Sequence, residues 1–210
     1  MLVFGHTGIT LGAAVLLASV LTRRYLPKSI EGKTTVSTPA DSKVQESAAS
    51  QRTSILSRLA ERIDLRLLFV GSLLPDIVDK PVGQFFFRDV FSNGRVLCHT
   101  LLFLIIVTLA GLWLHRRYAK NWLLILAFGI LTHLICDQMW RSPRTLLWPI
   151  YGFSFDRMDL THWVSNLLYA LQTNAQVYVP ELVGLVILVW FAAELVRRGR
   201  VISFIKTGRV

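Results

Sequence analysis

Charged side chains are scarce in this chain. They make up 17% of its 210 residues, against about 25% in an ordinary soluble domain. That deficit excludes a typical soluble surface, and a mean hydropathy of +0.49 with 53% apolar residues points the same way. Cysteine is almost missing. Cys98 and Cys136 both fall inside apolar runs, form no disulfide framework and read as small core residues. No basic residue precedes the first apolar run, and Arg23–Arg24 follow its core, the reverse of a secretory signal peptide. Aromatic and basic residues are not interleaved, so the net charge of +10 carries no nucleic-acid signature. No internal repeat is visible, which weighs against a transporter built from two related halves. The length accommodates one membrane domain, 1–210, and no second folded one.

What is abundant is uninterrupted apolar sequence. Leu11–Leu21, Leu97–Leu114, Trp122–Ile135 and Leu182–Leu195 are long apolar runs, and a helix is the element that satisfies its own backbone in lipid. A fifth helix is read over 54–75, where Ile55, Leu59, Ile63, Leu67, Val70 and Leu74 recur every three or four residues. Its uncharged part, Leu67–Pro75, is too short for a core of ~30 Å at ~1.5 Å per residue. Either Arg58, Arg62 and Arg66 snorkel to the interface, or Asp76 and Asp79 lie below the opposite surface. Residues 27–53 carry nine Ser or Thr and no aromatic, and read as a disordered loop.

The expected fold is therefore all-α, a polytopic membrane protein of about five transmembrane helices. The first covers Val3–Leu21, the third runs from near Arg95 to Leu114, and the fifth spans Pro180–Val196. Residues 138–180 read as a long outer loop with interfacial Trp140, Trp148, Tyr151 and Trp163. Basic residues orient the chain. With the N-terminus outside and the C-terminus cytoplasmic, 17 of the 23 Lys and Arg fall on the cytoplasmic side. The same topology brings His6, Asp76, Asp79, His99, His133 and Asp137 to one membrane face.

Those residues are a metal-ligand set. His133 and Asp137 are four apart on one helical face, and Asp76 and Asp79 are three apart. Carboxylates in or near hydrocarbon are costly, and a bound cation compensates them. Imidazole with carboxylate suits Zn²⁺ first, and also Mn²⁺ or Fe²⁺. Six candidates exceed the needs of one tetrahedral ion, so two ions bind, or some of the six, Asp79 among them, support the ligands. His162 and Asp79 are candidates for acid–base work, and Arg95, Arg141 and Arg144 for holding a phosphate. His115, beside Arg116–Arg117, is assigned to the opposite face. Two further readings fit the same set: a structural metal clip or polar helix glue, and an ion path in a transporter.

At these residues the chain resembles the YdjM-like inner-membrane family, described as membrane-bound metal-dependent hydrolases. The matching pieces are His6 with Gly8, Gly71–Asp79, Gly94–Thr100, His133–Asp137 and Leu147–Pro149. Lys80 and Gly94 stand where many members carry His, and Thr100 where many carry Ser. The resemblance implies an inner-membrane location and a divalent-metal hydrolase. A distant similarity of the family to zinc-dependent phospholipases C and single-strand nucleases implies phosphoester chemistry. The depth of the ligands adds a membrane lipid or lipid-linked phosphoester as the expected substrate.

Overall fold

A computed structural model gives the architecture and describes residues 1–25, 64–87, 93–155 and 162–209. Every regular element among them is helical: α1 (Val3–Tyr25), α2 (Leu65–Pro81), α3 (Leu101–Tyr118), α4 (Trp122–Cys136), α5 (Pro143–Leu146), α6 (Trp163–Thr173), α7 (Ala175–Arg197) and α8 (Val201–Thr207). A π-helical turn, Val82–Phe86, continues α2, and a 3₁₀ turn, Met139–Arg141, follows α4. The all-α expectation holds. Two helices, α3 and α7, are long and apolar enough to cross a membrane by themselves; Val3–Leu17 of α1 and all of α4 are shorter apolar helices. The 27–53 segment and the first part of the 54–75 helix lie outside the described residues.

Several boundaries differ from those read in the sequence, each for a local reason. Helix α2 does not stop at Pro75 but runs through it to Pro81, so Asp76 and Asp79 are helical. An interior proline loses its N–H bond and crowds the carbonyl four residues back, and in membrane helices neighbouring helices and Ser or Thr side chains re-satisfy the freed backbone. Helix α3 starts at Leu101, because the Thr100 hydroxyl caps it by accepting the Phe103 N–H at 3.1 Å. His99 therefore sits in the turns before α3 instead of within it. The 138–180 segment carries α5 and α6 in addition to loop. Helix α7 begins at Ala175, capped by Asn174 Oδ1 on the Gln176 N–H at 2.9 Å, and absorbs Pro180.

Helix α2 lies against α4, α1 against α7, and α4 also against α3. One apolar cluster, Leu11, Ala14, Leu65, Leu68, Phe191 and Leu195, joins α1, α2 and α7. A second, Leu104, Ala127, Ile130, Leu134 and Met139, joins α3, α4 and the turn beyond it. Ile105, Ile106 and Leu109 of α3 and Val186 and Val189 of α7 face outward and exposed, as helices in lipid do. At the foot of α2, Leu65 N–H donates to the Gly208 carbonyl at 2.9 Å, and the Arg66 guanidinium donates to the Ile205 and Lys206 carbonyls at 3.0 and 3.2 Å. Arg66 thus satisfies the last carbonyls of α8, and its pairing with Asp64 holds that carboxyl below its ordinary pKa.

Close approach of α2 to α4 sets the position of the ligands. A Cβ on Gly71 would stand 2.5 Å from the Leu126 carbonyl oxygen, and one on Gly129 would stand 2.7 Å from Gly71 backbone. Helix α1 meets α7 the same way: a Cβ on Gly8 would lie 2.1 Å from the Gly184 carbonyl. Such small-residue contacts replace the hydrophobic drive that lipid does not supply. Overpacking a rigid site of this kind costs about 1–3 kcal/mol or more. Gly71→Leu should therefore lower the thermal unfolding midpoint of the detergent-solubilised protein by several degrees. Gly12→Ala, whose Cβ would meet only the flexible end of Ile187 at 3.2 Å, should leave it within a degree or so, because alanine also favours the helix. Equal midpoints for the two variants would refute the close-approach account.

Candidate metal centre

Two helices and one turn bring four of the predicted ligands together. Asp76 comes from α2, His99 from the turns before α3, His133 from the last turn of α4, and Asp137 caps α4. One donor atom from each lies within 4.8 Å of the others. His99 and His133 are fully buried, as is His6.

The tautomers follow from the partners. His99 Nδ1 lies 2.8 Å from Asp79 Oδ2, and His133 Nδ1 lies 2.6 Å from the Ser72 carbonyl oxygen. Asp79 Oδ2 also takes the Val96 N–H, and a carbonyl can only accept. Both rings therefore donate from Nδ1, and each ring, when neutral, presents a bare Nε2 lone pair. The two Nε2 atoms face each other at 3.2 Å. Two lone pairs in a buried site repel unless a cation lies between them. With Zn–N distances of ~2.0–2.1 Å, two imidazoles on a tetrahedral ion stand about 3.3 Å apart. The donor set fits a divalent metal on this ground.

The carboxylates complete the set. Asp76 Oδ1 lies 3.6 Å from His99 Nε2 and 3.9 Å from His133 Nε2, and Asp137 Oδ2 lies 3.9 Å from His99 Nε2. Each carboxylate is also held by a cation: Asp76 Oδ2 by Lys80 Nζ at 2.7 Å, Asp137 Oδ2 by Arg95 through Nε at 3.0 Å and Nη2 at 2.9 Å. Lys80, one of the departures from the family pattern, thus serves as the partner that orients Asp76. Such pairing offsets part of the cost of burying the carboxylates.

His6 packs on the cluster from α1. Its ring stacks on His133 with centroids 4.0 Å apart, and its Nε2 lies 3.2 Å from Asp137 Oδ1. Neither ring nitrogen has a hydrogen-bond partner of good geometry. A buried orphan nitrogen is costly, and a metal ligand is one explanation of it.

The other predicted residues are placed differently. Asp79 is buried under the 93–99 turns, and its oxygens accept the backbone N–H groups of Val96, Cys98 and His99 as well as the His99 ring. It grips the turn that carries His99. Arg95 touches the cluster through Asp137. Arg141 is exposed and donates to Gln176 Oε1 at 3.5 Å, and Arg144 is exposed on α5. His162 is exposed where α6 begins and is not brought to the cluster. His115 is exposed in the last turn of α3.

Two residues of the site escaped the sequence reading. Ser72 contributes only its backbone carbonyl, which no side-chain pattern reveals. Glu181, on α7, is buried and accepts the Gly5 N–H at 3.0 Å and the Leu2 N–H. It satisfies the free amides at the start of α1 from a neighbouring helix and so sets where His6 stands. A lone carboxylate in an apolar helix was the available signal.

The profile of the YdjM inner membrane protein family matches residues 1–201. Among the curated proteins and the solved structures, none matches the chain. The chain belongs to the YdjM inner membrane protein family and is an inner-membrane protein.

The Glu181 contact can be tested directly. Removing a charged acceptor from two buried amides costs about 1–3 kcal/mol. Glu181→Ala should lower the thermal midpoint markedly and speed hydrogen exchange at Leu2–Gly5. Glu181→Gln, which keeps one acceptor oxygen, should lose less. If exchange at these amides is unchanged in Glu181→Ala, the contact does not anchor α1.

Proposed function

We propose that this protein is a membrane-bound metal-dependent hydrolase. In this reading Asp76, His99, His133 and Asp137 hold one divalent ion, with Zn²⁺ first and Mn²⁺ or Fe²⁺ as alternatives, and His6 completes the shell. The observation that carries it is the pair of Nε2 atoms 3.2 Å apart, each ring locked by its other nitrogen, with two carboxylates beside them. Locking of this kind is how ligating imidazoles are held in metal sites. The contacts of Asp79 favour a supporting role for it over that of a second-ion ligand, and so favour one ion over two.

Held by these residues, a divalent ion would supply an acidified water and polarise the group to be cut. The chain's own residues do the rest. Asp76 is the more open of the two carboxylates, with a 15% exposed side chain against 4% for Asp137, so substrate and water reach the cluster from its side. There it can take the proton of the attacking water. Arg95, 32% exposed while it holds Asp137, has donors left for an anionic group. The substrate class is a phosphoester, lipid-linked because the cluster opens at a membrane face: water adds at phosphorus, the ester P–O bond breaks, and the released alcohol takes a proton. Arg141 and Arg144 would contact the anion from the loop side.

We also propose that α1, α2, α3, α4 and α7 all cross the membrane. The N-terminus and the metal cluster would then lie on the outer side and Arg116, Arg117 and Arg197–Arg198 on the cytoplasmic side, supported by the charge bias. The complete burial of the three histidines favours one other reading, a structural metal clip without exchangeable water.

Elemental mass spectrometry of the purified protein should find about one equivalent of metal. His133→Ala and Asp76→Ala should lose it, and Asp79→Asn should weaken affinity by about 10–100-fold, as loss of a supporting partner does. Hydrolysis of a chromogenic phosphodiester by the loaded protein, abolished in His133→Ala, separates enzyme from clip. A folded wild type without metal after Zn²⁺ and Mn²⁺ addition would end the metal reading. For topology, cysteines placed at Lys120 and Gly199 should react with membrane-impermeant maleimide only after permeabilisation, and one at Ile150 before it. The reverse pattern would invert the orientation.

A further inference from the structure

We infer that Lys80 and Arg95 form a clamp that makes a terminal phosphate, in preference to a diester, the group cut at the cluster, which rests on the hydrolase reading above and narrows its substrate class. Each cation holds one of the two carboxylates. Lys80 Nζ lies 2.7 Å from Asp76 Oδ2, while the other oxygen of that carboxylate, Oδ1, lies 3.6 Å from His99 Nε2. Arg95 Nε and Nη2 lie 3.0 and 2.9 Å from Asp137 Oδ2, and that oxygen lies 3.9 Å from the same His99 Nε2. A single carboxyl group therefore stands between each cation and the point where the ligand atoms converge.

The two cations also share a rim. Gly94, the residue before Arg95, lies against the Lys80 stem: a Cβ there would stand 3.4 Å from Lys80 Cγ. Buried Asn93 fixes the same stretch, its Oδ1 accepting the Arg95 N–H at 2.9 Å. Both cationic side chains reach solvent, 35% exposed for Lys80 and 32% for Arg95. An ammonium has three donors and a guanidinium five. Among the described residues Lys80 uses one of them on Asp76, and Arg95 uses Nε and Nη2 on Asp137, so each keeps donors for a ligand. A terminal phosphate offers three acceptor oxygens, and its charge is spread over all three as it is transferred. A diester has one fewer. A divalent ion, Lys80 and Arg95 are three positive partners, and only the terminal phosphate engages all of them. Water adds at phosphorus, the bond from phosphorus to the bridging ester oxygen breaks, and a proton of that water ends on the released alcohol. Inorganic phosphate is the second product.

That product serves as the probe. The full chain in a maltoside detergent, loaded with Zn²⁺ and freed of excess metal, is titrated calorimetrically with inorganic phosphate and with dimethyl phosphate at about pH 8, where a terminal phosphate is dianionic. Inorganic phosphate should bind several-fold more tightly. Lys80→Met should weaken its binding by about tenfold, the loss of one charge-assisted hydrogen bond, and weaken dimethyl phosphate binding less. Lys80→Arg, which keeps the charge, should keep the preference. Metal content of the same samples reports the other role of Lys80. If Lys80 only orients Asp76, Lys80→Met sheds metal while the protein that stays loaded prefers inorganic phosphate as strongly as the wild type, and the clamp is overturned. Equal binding of the two probes by the loaded wild type, or faster cleavage of a chromogenic diester than of the matching monoester, would overturn the clamp and leave the hydrolase reading standing. A folded wild type that takes up no metal would overturn both.

Discussion

Two imidazoles whose Nε2 atoms face each other at 3.2 Å, sealed from water and in need of a proton or a metal ion between them, are the constraint from which the rest of this structure follows. The arrangement is unfavourable alone. Each ring is nonetheless locked into it, His99 by the Asp79 carboxylate and His133 by the Ser72 carbonyl. Neither ring can flip to relieve the repulsion without breaking a buried hydrogen bond, which costs about 1–3 kcal/mol. The carboxylates of Asp76 and Asp137 point their oxygens at the same small volume. Four acceptor atoms that converge within 4.8 Å could hold a cation.

The backbone geometry serves that site. Ser72 reaches His133 because Gly71 and Gly129 let α2 and α4 touch. One turn further along α2, Asp76 then arrives beside the same ring, and Asp79 arrives under the turns that precede α3. The Thr100 cap sets where α3 begins, and so leaves His99 on a turn whose amides Asp79 can bind. On the other side, Gly8 and Gly184 seat α1 on α7, and Glu181 fixes the first turn that carries His6. Each anchor is a polar group or a missing side chain, because in lipid the apolar effect does not draw helices together.

Charge is distributed by the same economy. Few charged residues are described within the apolar helices, and those near the cluster are used in pairs: Asp76 with Lys80, Asp137 with Arg95. Lys80 stands four residues after Asp76 and pairs with it at 2.7 Å. It orients Asp76 in place of adding a ligand, which accords with a single-ion set. The contrast between the open Asp76 side and the closed Asp137 side gives the cluster a direction.

Much of this was legible in the chain itself. Apolar runs dictated helices, because only a helix closes its backbone hydrogen bonds within one segment in lipid. The rarity of charge made each His and Asp in those runs conspicuous, and the spacing of His133 with Asp137 put two donors on one face. Other features belonged to the tertiary structure alone. Helix α2 continues past Pro75 because neighbouring helices hold the turn, which no local propensity encodes. Asp79 and Asp76 are three residues apart and alike in type, yet one grips a loop and the other faces the cluster; only the arrival of the 93–99 turns separates them. Ser72 acts through a carbonyl every residue possesses, and Glu181 acts on amides 176 positions away along the chain. Residue types and periodicity determine which groups must be compensated, since that is a property of each group in lipid. Which partner compensates them is decided by packing across distant segments, where sequence spacing carries no distance.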